Sequence, residues 1–144
     1  MKEELKTCHI LLADDDTDDV LVFDLALRNL SFPFILTHVR DGEELMLALG
    51  RQVPDILFLD IRMPCKDGID CIQEIRANSR YAQMPVVMYS SMRTPMNMDA
   101  TYQKGAQYFL EKTGSLSELS SKLRFLFSRD LKEMRKQEPE AYLL

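Results

Sequence analysis

Cysteine is scarce and long hydrophobic runs are missing from this sequence of 144 residues. The three cysteines, Cys8, Cys65 and Cys71, are odd in number and form no CxxC pair, so neither a disulfide framework nor a zinc site is indicated. No run approaches the ~20 apolar residues of a membrane-spanning helix, and the segment MKEELKTC lacks the apolar stretch of a signal peptide. We therefore expect a cytoplasmic protein with reduced cysteines.

Positive charge is also limited, with 18 Lys and Arg against 23 Asp and Glu and a net charge of −5. A groove that follows nucleic acid, or a surface that lies on anionic lipid, needs clustered Lys and Arg, so we expect neither partner. The acidic balance favours metal ions or proteins instead. With 46% hydrophobic residues, the chain has the length and composition of one soluble domain.

Short apolar runs of strand length alternate with helical patterns along the chain. This alternation is typical of repeated βα units that form a parallel sheet with helices on both faces. The predicted strands are HILLA (9–13), FILTHV (34–39), DILFLD (55–60), VVMYS (86–90) and YFLEK (108–112).

Helical spacing of apolar residues appears between these runs. Val20, Phe23, Leu27 and Leu30 recur at i, i+3, i+7 and i+10, and four leucines repeat that spacing from 116 to 126. The segments EELMLALG, GIDCIQEIRA and RTPMNMDATYQKG supply three further helices, of which the last is the weakest prediction. After residue 128 the charged sequence predicts a continuation of the last helix that ends near Pro139.

Polar side chains follow four of the predicted strands. Asp14 and Asp15 end the first strand, Asp60 the third, Ser90 the fourth and Lys112 the fifth. The carboxyl ends of strands in an open parallel sheet line the ligand crevice, so these side chains should converge there. Like charges about 4 Å apart repel by roughly 4 kcal/mol at an effective dielectric near 20. Three carboxylates in one crevice therefore indicate that a cation binds there and offsets their repulsion. An all-oxygen ligand set with room for water suits Mg²⁺.

The same residues meet the chemical requirements of phosphoryl transfer. A metal ion would bridge oxygens, Lys112 would offset charge on the phosphoryl group, Ser90 would offer a hydroxyl, and one carboxylate would be free to act as nucleophile.

Four motifs resemble the receiver domain of two-component response regulators, in order and at that family's spacing. They are ILLADDDTDDV, PDILFLDIRMPCKDG, PVVMYSS and GAQYFLEK. The resemblance implies an α/β fold, a doubly wound, flavodoxin-like sheet of five parallel strands in the order 2-1-3-4-5 with five helices. It covers a receiver domain at 7–128 and leaves 129–144 as a charged C-terminal helical extension, far too short for an output domain.

The resemblance also implies roles for individual residues. Asp60 would be the phosphoacceptor, with a histidine kinase or a histidine phosphotransfer protein as donor. Asp14, Asp15, Asp60 and the backbone carbonyl of Arg62 would hold Mg²⁺. Lys112 would contact the phosphoryl group, and Ser90 would move toward it and form a hydrogen bond with it.

The implied output is a protein contact made by the domain's own surface. The movement of Ser90 would let Phe109 turn inward and change the face formed by the fourth helix, fifth strand and fifth helix, through which two copies could pair. The implied protein is a stand-alone signalling domain that catalyses only its own phosphorylation and dephosphorylation. Two departures from the family stand out: Thr113 replaces the usual proline after Lys112, whose peptide bond is cis in the family, and Phe109 has no hydroxyl.

Other interpretations of the acidic motif are weaker. A haloacid-dehalogenase-like phosphatase would share the DDDT opening at 14–17, but the acidic pair that should close a later strand is missing. An EF-hand needs glycine and glutamate where Asp19 and Leu25 stand. A degenerate receiver that only binds protein is a third alternative. The same segment also suits the start of a helix: Asp16 or Thr17 would cap its free N–H groups, and Asp18 and Asp19 would favour its dipole.

Overall fold

The structure is a computed structural model that describes residues 6–134 and 136–144. Residues 1–5, which contribute to the expectation of no signal peptide, lie outside the described residues. Position 135 of the predicted helical extension lies outside them as well.

Five parallel strands form one sheet in the order β2-β1-β3-β4-β5, as the family resemblance implies. The strands are β1 (Cys8–Ala13), β2 (Phe34–Val39), β3 (Ile56–Leu59), β4 (Val86–Ser90) and β5 (Tyr108–Glu111). β3 and β4 are buried at every position, which agrees with their continuous apolar sequences. The predicted strands are confirmed to within one residue at each end.

Five α-helices connect and follow the strands. They are α1 (Thr17–Arg28), α2 (Gly42–Arg51), α3 (Gly68–Ala77), α4 (Pro95–Gln103) and α5 (Leu116–Phe127). Within the described residues, none of the helices is both long enough and apolar enough to cross a membrane.

A side chain caps the N-terminus of every one of these helices. The caps are Asp16, Asp41, Asp67, Thr94 and Ser115, and each accepts a hydrogen bond from a backbone N–H in the first turn. Because each cap satisfies a donor that has no partner inside the helix, it contributes about 1 kcal/mol and fixes where the loop ends. Four of the five caps, all but Asp67, follow a strand end within four residues, so they also set the geometry of that edge of the sheet.

The core consists of two layers, one on each face of the sheet. Leu45 and Leu49 of α2, with Ile72 and Ile75 of α3, pack on one face. The other face is covered by α1 and α5, whose apolar stripes include Phe23, Leu27, Leu119, Leu123 and Leu126. The predicted stripes are confirmed at these positions, whereas Leu116 is 39% exposed.

The segment after α5 corrects one prediction. The last helix ends at Phe127, and short 3₁₀ turns at Leu131–Glu133 and Pro139–Ala141 follow in place of a continued helix. Met134 and Tyr142 are buried against the two core layers. The prediction of a helical extension was wrong because these buried contacts, which the charged composition hides, stabilise a path back along the sheet.

Candidate functional site

The predicted site residues converge at the carboxyl edge of the sheet because neighbouring strands end in register. Asp60 donates its backbone N–H to the Ala13 carbonyl at 2.9 Å, which places it beside Asp14. Lys112 likewise donates its backbone N–H to the Ser90 carbonyl at 3.0 Å. Residues that are far apart in the sequence therefore share one crevice.

Three carboxylates form a cluster in this crevice. One oxygen each of Asp14, Asp15 and Asp60 lies within 4.8 Å of the other two. Asp14 is fully buried and Asp60 is 6% exposed, whereas Asp15 is exposed to solvent. Asp14 Oδ2 is buried and forms an ion pair with Lys112. Three carboxylates that lie this close together offer an all-oxygen ligand set, which fits a hard divalent cation such as Mg²⁺.

Lys112 contacts two carboxylates of the cluster and a third one outside it. Its Nζ is 2.7 Å from Asp14 Oδ2 and 2.9 Å from Asp60 Oδ2, and a third carboxylate, Asp19, lies at 2.9 Å. Burial alone would lower the pKa of Lys112, but the three carboxylates outweigh burial and hold the pKa above its usual range. Lys112 is therefore a fixed positive charge.

Burial has the opposite effect on the Asp14 carboxyl. It raises the pKa of Asp14 to about 6, although Lys112 and the backbone N–H of Asp16 oppose the rise. Ionisation of Asp14 is thus less favourable in the folded protein than in a free aspartate, and a bound cation would oppose that effect.

Backbone N–H groups hold two of the carboxylates in place, and one histidine holds the backbone of Asp14. Asp14 Oδ1 accepts a hydrogen bond from the backbone N–H of Asp16 at 2.9 Å, and Asp60 Oδ1 accepts one from Ile61 at 2.8 Å. His38 Nε2 lies 2.7 Å from the Asp14 carbonyl oxygen. Because a carbonyl can only accept, His38 must carry its proton on Nε2.

Ser90 and Phe109, the two residues of the predicted switch, lie on the neighbouring strands β4 and β5. The Ser90 side chain is buried, and its Oγ accepts a hydrogen bond from the backbone N–H of Met92 at 3.1 Å. Phe109 is already fully buried, so the structure shows no outward position from which it would turn inward as the resemblance implies. The described residues contain no cis peptide bond, so the Lys112–Thr113 peptide is trans.

Gly68 makes room for the backbone of Asp60. A Cβ at Gly68 would lie 2.9 Å from the Asp60 carbonyl carbon and closer still to the carbonyl oxygen. Arg62 lies in the same loop between β3 and α3, with its side chain exposed. A glycine at position 68 therefore lets the start of α3 pack directly under the candidate phosphoacceptor.

A family model for the response regulator receiver domain matches residues 10–124 of this chain. The chain belongs to the receiver domain family. The four sequence motifs that carried the resemblance all lie within this match or at its edge.

The receiver matches part of several curated bacterial proteins. It is 31% identical over 132 residues to the transcriptional regulatory protein CpxR of Klebsiella pneumoniae, covering 92% of this chain and 54% of CpxR. It is also 31% identical to the transcriptional regulatory protein PrrA of Mycobacterium tuberculosis, covering 83% of this chain and 50% of PrrA. The chain thus spans about half the length of the curated relatives it matches.

Solved structures of response regulators share the receiver's fold. The phosphorylated cyanobacterial phytochrome response regulator RcpA superposes with a TM-score of 0.78 at 26% identity, covering 84% of this chain and 91% of RcpA. The Mn²⁺-bound form of the response regulator Rcp1 gives 0.76 at 26% identity, covering 84% of this chain and 92% of Rcp1. The chemotaxis regulator CheY4 of Vibrio cholerae, at 20% identity and a TM-score of 0.71, covers 84% of this chain and 99% of CheY4 and shows the shared fold.

Three residues of the receiver's site were not predicted from the sequence. Asp19 was predicted to favour the dipole of the first helix, and its pairing with Lys112 was not predicted. His38, which bonds to the Asp14 carbonyl, was not part of the predicted site. The ring of Tyr89 lies under Lys112, with 5.2 Å from Nζ to the ring centroid, and burial raises the pKa of the Tyr89 hydroxyl. Each of these contacts joins separate elements of the fold, so local sequence patterns give no signal for it.

Proposed function

We propose that this receiver accepts a phosphoryl group on Asp60 from a histidine kinase or a histidine phosphotransfer protein. The observation that supports this assignment is the position of Asp60, whose carboxylate contacts the half-buried Lys112 and lies close to two further carboxylates. In the proposed step, an Asp60 oxygen forms a bond to phosphorus as the phosphorus–nitrogen bond to the donor's imidazole breaks. The imidazole nitrogen keeps the electron pair of that bond.

The Asp14, Asp15 and Asp60 carboxylates, together with the Arg62 backbone carbonyl, would hold one Mg²⁺. When bound, the ion would supply positive charge between the carboxylates and the phosphoryl oxygens. The all-oxygen ligand set and the close approach of the three carboxylates support this part of the proposal.

The chain's own residues would position and stabilise the transferred group. Lys112 would exchange a carboxylate partner for a phosphoryl oxygen, which its short distance to Asp60 favours. The Ser90 hydroxyl would leave the Met92 N–H and donate to a second phosphoryl oxygen, and Phe109 would repack in response. The domain would therefore catalyse only its own phosphorylation and dephosphorylation.

The proposed output is a contact with another protein. The net charge of −5 favours a protein partner over nucleic acid for these residues. The face formed by α4, β5 and α5 is the one that Ser90 and Phe109 adjoin, so we place the changing surface there, including any pairing of two copies.

Reaction with acetyl phosphate tests the assignment. We expect intact mass spectrometry to show the addition of one phosphoryl group when Mg²⁺ is present and none when it is chelated. Asp60→Asn should fold and remain unmodified, whereas Asp99→Asn, an exposed aspartate on α4, should react like the parent. A parent protein that stays unmodified would instead favour a degenerate receiver that only binds protein.

A phosphatase gives a different result in the same assay. Continuous hydrolysis of a phosphate ester by the purified protein would support the haloacid-dehalogenase-like alternative. A receiver should accept one phosphoryl group and then release it slowly.

A further inference from the structure

The outer edge of β5 is covered by the last residues of the chain. Phe109 donates its backbone N–H to the Tyr142 carbonyl at 2.8 Å, and Leu144 donates its N–H to the Phe109 carbonyl at 2.9 Å. Phe109 and Leu143 thus form a parallel bridge. Because β5 is the last strand of the sheet, residues 142–144 satisfy backbone groups that would otherwise offer a pairing edge to another chain.

Side chains of the same segment fix it to α4. The Tyr142 ring packs edge-on against Tyr102, at 5.2 Å between centroids, and against Phe109 at 6.2 Å. Gln137 Nε2 donates to the carbonyls of Tyr102 and Ala106, both at 2.6 Å. Residues 137–144 are therefore a specifically bound segment, which we name the tail latch.

A buried hydroxyl pair joins the tail latch to the interior of α4. Tyr142 Oη lies 2.6 Å from Thr101 Oγ1, and both side chains are buried. Thr101 has one hydroxyl proton, which it donates to the Asn97 carbonyl at 2.7 Å. The hydroxyl of Tyr142 must then donate to Thr101.

This hydroxyl pair is the end of a series of hydrogen bonds that begins at Ser90 and passes through backbone and side-chain groups of Met92 and Asn97. Ser90 Oγ accepts from the Met92 N–H at 3.1 Å, the Met92 carbonyl accepts from Asn97 Nδ2 at 3.0 Å, and Asn97 accepts from Thr101. A change at Ser90 would release the first bond of the chain, and Tyr142 is the last residue in it. The Phe109 side chain, which the family switch would move, also contacts Tyr142.

We infer that the edge of β5 is a binding groove for an extended segment in which an aromatic residue precedes two aliphatic ones. The tail latch occupies this groove in the unphosphorylated protein, and phosphorylation weakens its hold through Ser90 and Phe109. Release uncovers the groove for the matching segment of a partner, which adds to β5 as a parallel strand. The groove follows from the structure alone, whereas its control by phosphorylation rests on the proposed function.

Amide hydrogen exchange in the full chain tests this control, with beryllium fluoride and Mg²⁺ as the phosphoryl mimic. The Phe109 and Leu144 amides should be protected in the resting protein and exchange at least about fivefold faster with the mimic, which is the lower end of usual allosteric couplings. The Asp60 amide, which is bonded to Ala13 within the sheet, should stay protected in both states.

Tyr142→Phe removes the last hydrogen bond of the chain and leaves the ring in place. We expect faster exchange of Leu144 at rest and a smaller response to the mimic. Tyr108→Phe is the matched control, because it removes a hydroxyl of β5 that contacts Arg129 and is outside the chain of bonds. Equal behaviour of the two variants would overturn the role of the Tyr142 hydroxyl.

A synthetic peptide, QEPEAYLL, tests the groove itself. It should bind the Tyr142→Ala protein and compete poorly against the intact tail latch of the parent. Lack of binding to Tyr142→Ala would overturn the groove, provided that the variant shows the parent's fold by amide spectra. If amides of the site, such as that of Ile61, do not respond to the mimic, the proposed function is wrong. If they respond while the Leu144 amide keeps its protection, the proposed function stands and only the inferred control of the tail latch is wrong.

Discussion

Asp19 and Asp60 hold Lys112 Nζ from two elements of the fold, each with a carboxylate oxygen at 2.9 Å. Asp19 lies in the first turn of α1, whereas Asp60 directly follows β3. A phosphoryl group on Asp60 would have to attract the same ammonium group that Asp19 now shares. Asp19 is therefore a competitor for the lysine as well as a part of the acidic cluster.

The substitution Asp19→Asn removes this competition and one negative charge. We expect beryllium fluoride to bind more tightly, by up to about fivefold, because a partly exposed ion pair contributes at most about 1 kcal/mol. Mg²⁺ should bind somewhat more weakly, since the cluster loses charge. Titrations of the two ligands measure both effects, and Asp18→Asn, an exposed neighbour, is the control. Changes of the same sign for both ligands would contradict the competition.

Lys112→Ala should separate metal binding from the response to phosphorylation. Without the ammonium group, the three carboxylates repel one another, so the metal-free variant should unfold at a lower temperature and Mg²⁺ should stabilise it more than it stabilises the parent. Beryllium fluoride should no longer shift the amide signals of α4 and β5. Thermal unfolding and amide spectra measure these effects, with the exposed Lys132→Ala as control. A variant that keeps the full amide response would rule out the proposed role of Lys112.

Gly68→Ala should distort the phosphoacceptor without changing any charge. The added Cβ would press on the Asp60 backbone, so we expect a loss of about 1–3 kcal/mol in the free energy of unfolding and slower phosphorylation by acetyl phosphate. Gly50→Ala is the matched control, because nothing lies within 4 Å of its added Cβ. That helical substitution should stabilise the protein by about 0.5–1 kcal/mol. Similar effects of the two substitutions would argue against close packing at Gly68.

The stability of the metal-free protein should carry the pH dependence of Asp14. Its pKa rises from 3.8 to about 6 on folding, so the folded state favours the protonated form and loses stability as the pH rises through this interval. Asp14→Asn lacks this titration. The free energy of unfolding of Asp14→Asn, relative to that of the parent, should therefore increase between pH 4 and 6 by no more than about 3 kcal/mol. Urea unfolding in the presence of a chelator measures the difference, and a difference that is constant or decreases with pH would contradict a raised pKa.

The sequence predicted the strands and the convergence of their ends because both depend on local patterns. Continuous apolar runs mark β3 and β4, and the residues that follow β1, β3 and β5 are polar. The order of the strands came from the family resemblance instead. Asp19 was missed because its position in the first turn of α1 already satisfies the helix pattern, and its partner lies 93 residues away.

The tail latch was missed for a related reason. Its charged residues fit a solvated helix, and the residues that fix it, Gln137 and Tyr142, act through α4 and β5. Tertiary contacts of this kind override local helix propensity. The site residues that lie at strand ends could thus be predicted from the sequence. Residues whose partners lie on distant elements of the fold could not be predicted in this way.

Amide spectra of the parent protein, recorded with Mg²⁺ alone and with Mg²⁺ and beryllium fluoride, show whether the metal and the phosphoryl group share one site. We expect Mg²⁺ to shift the amides next to Asp14, Asp15 and Asp60. Adding beryllium fluoride should extend the shifts to Ile61, Ser90, Lys112 and α4. Shifts that are scattered over the surface, or identical in Asp60→Asn, would contradict a shared metal and phosphoryl site at these strand ends.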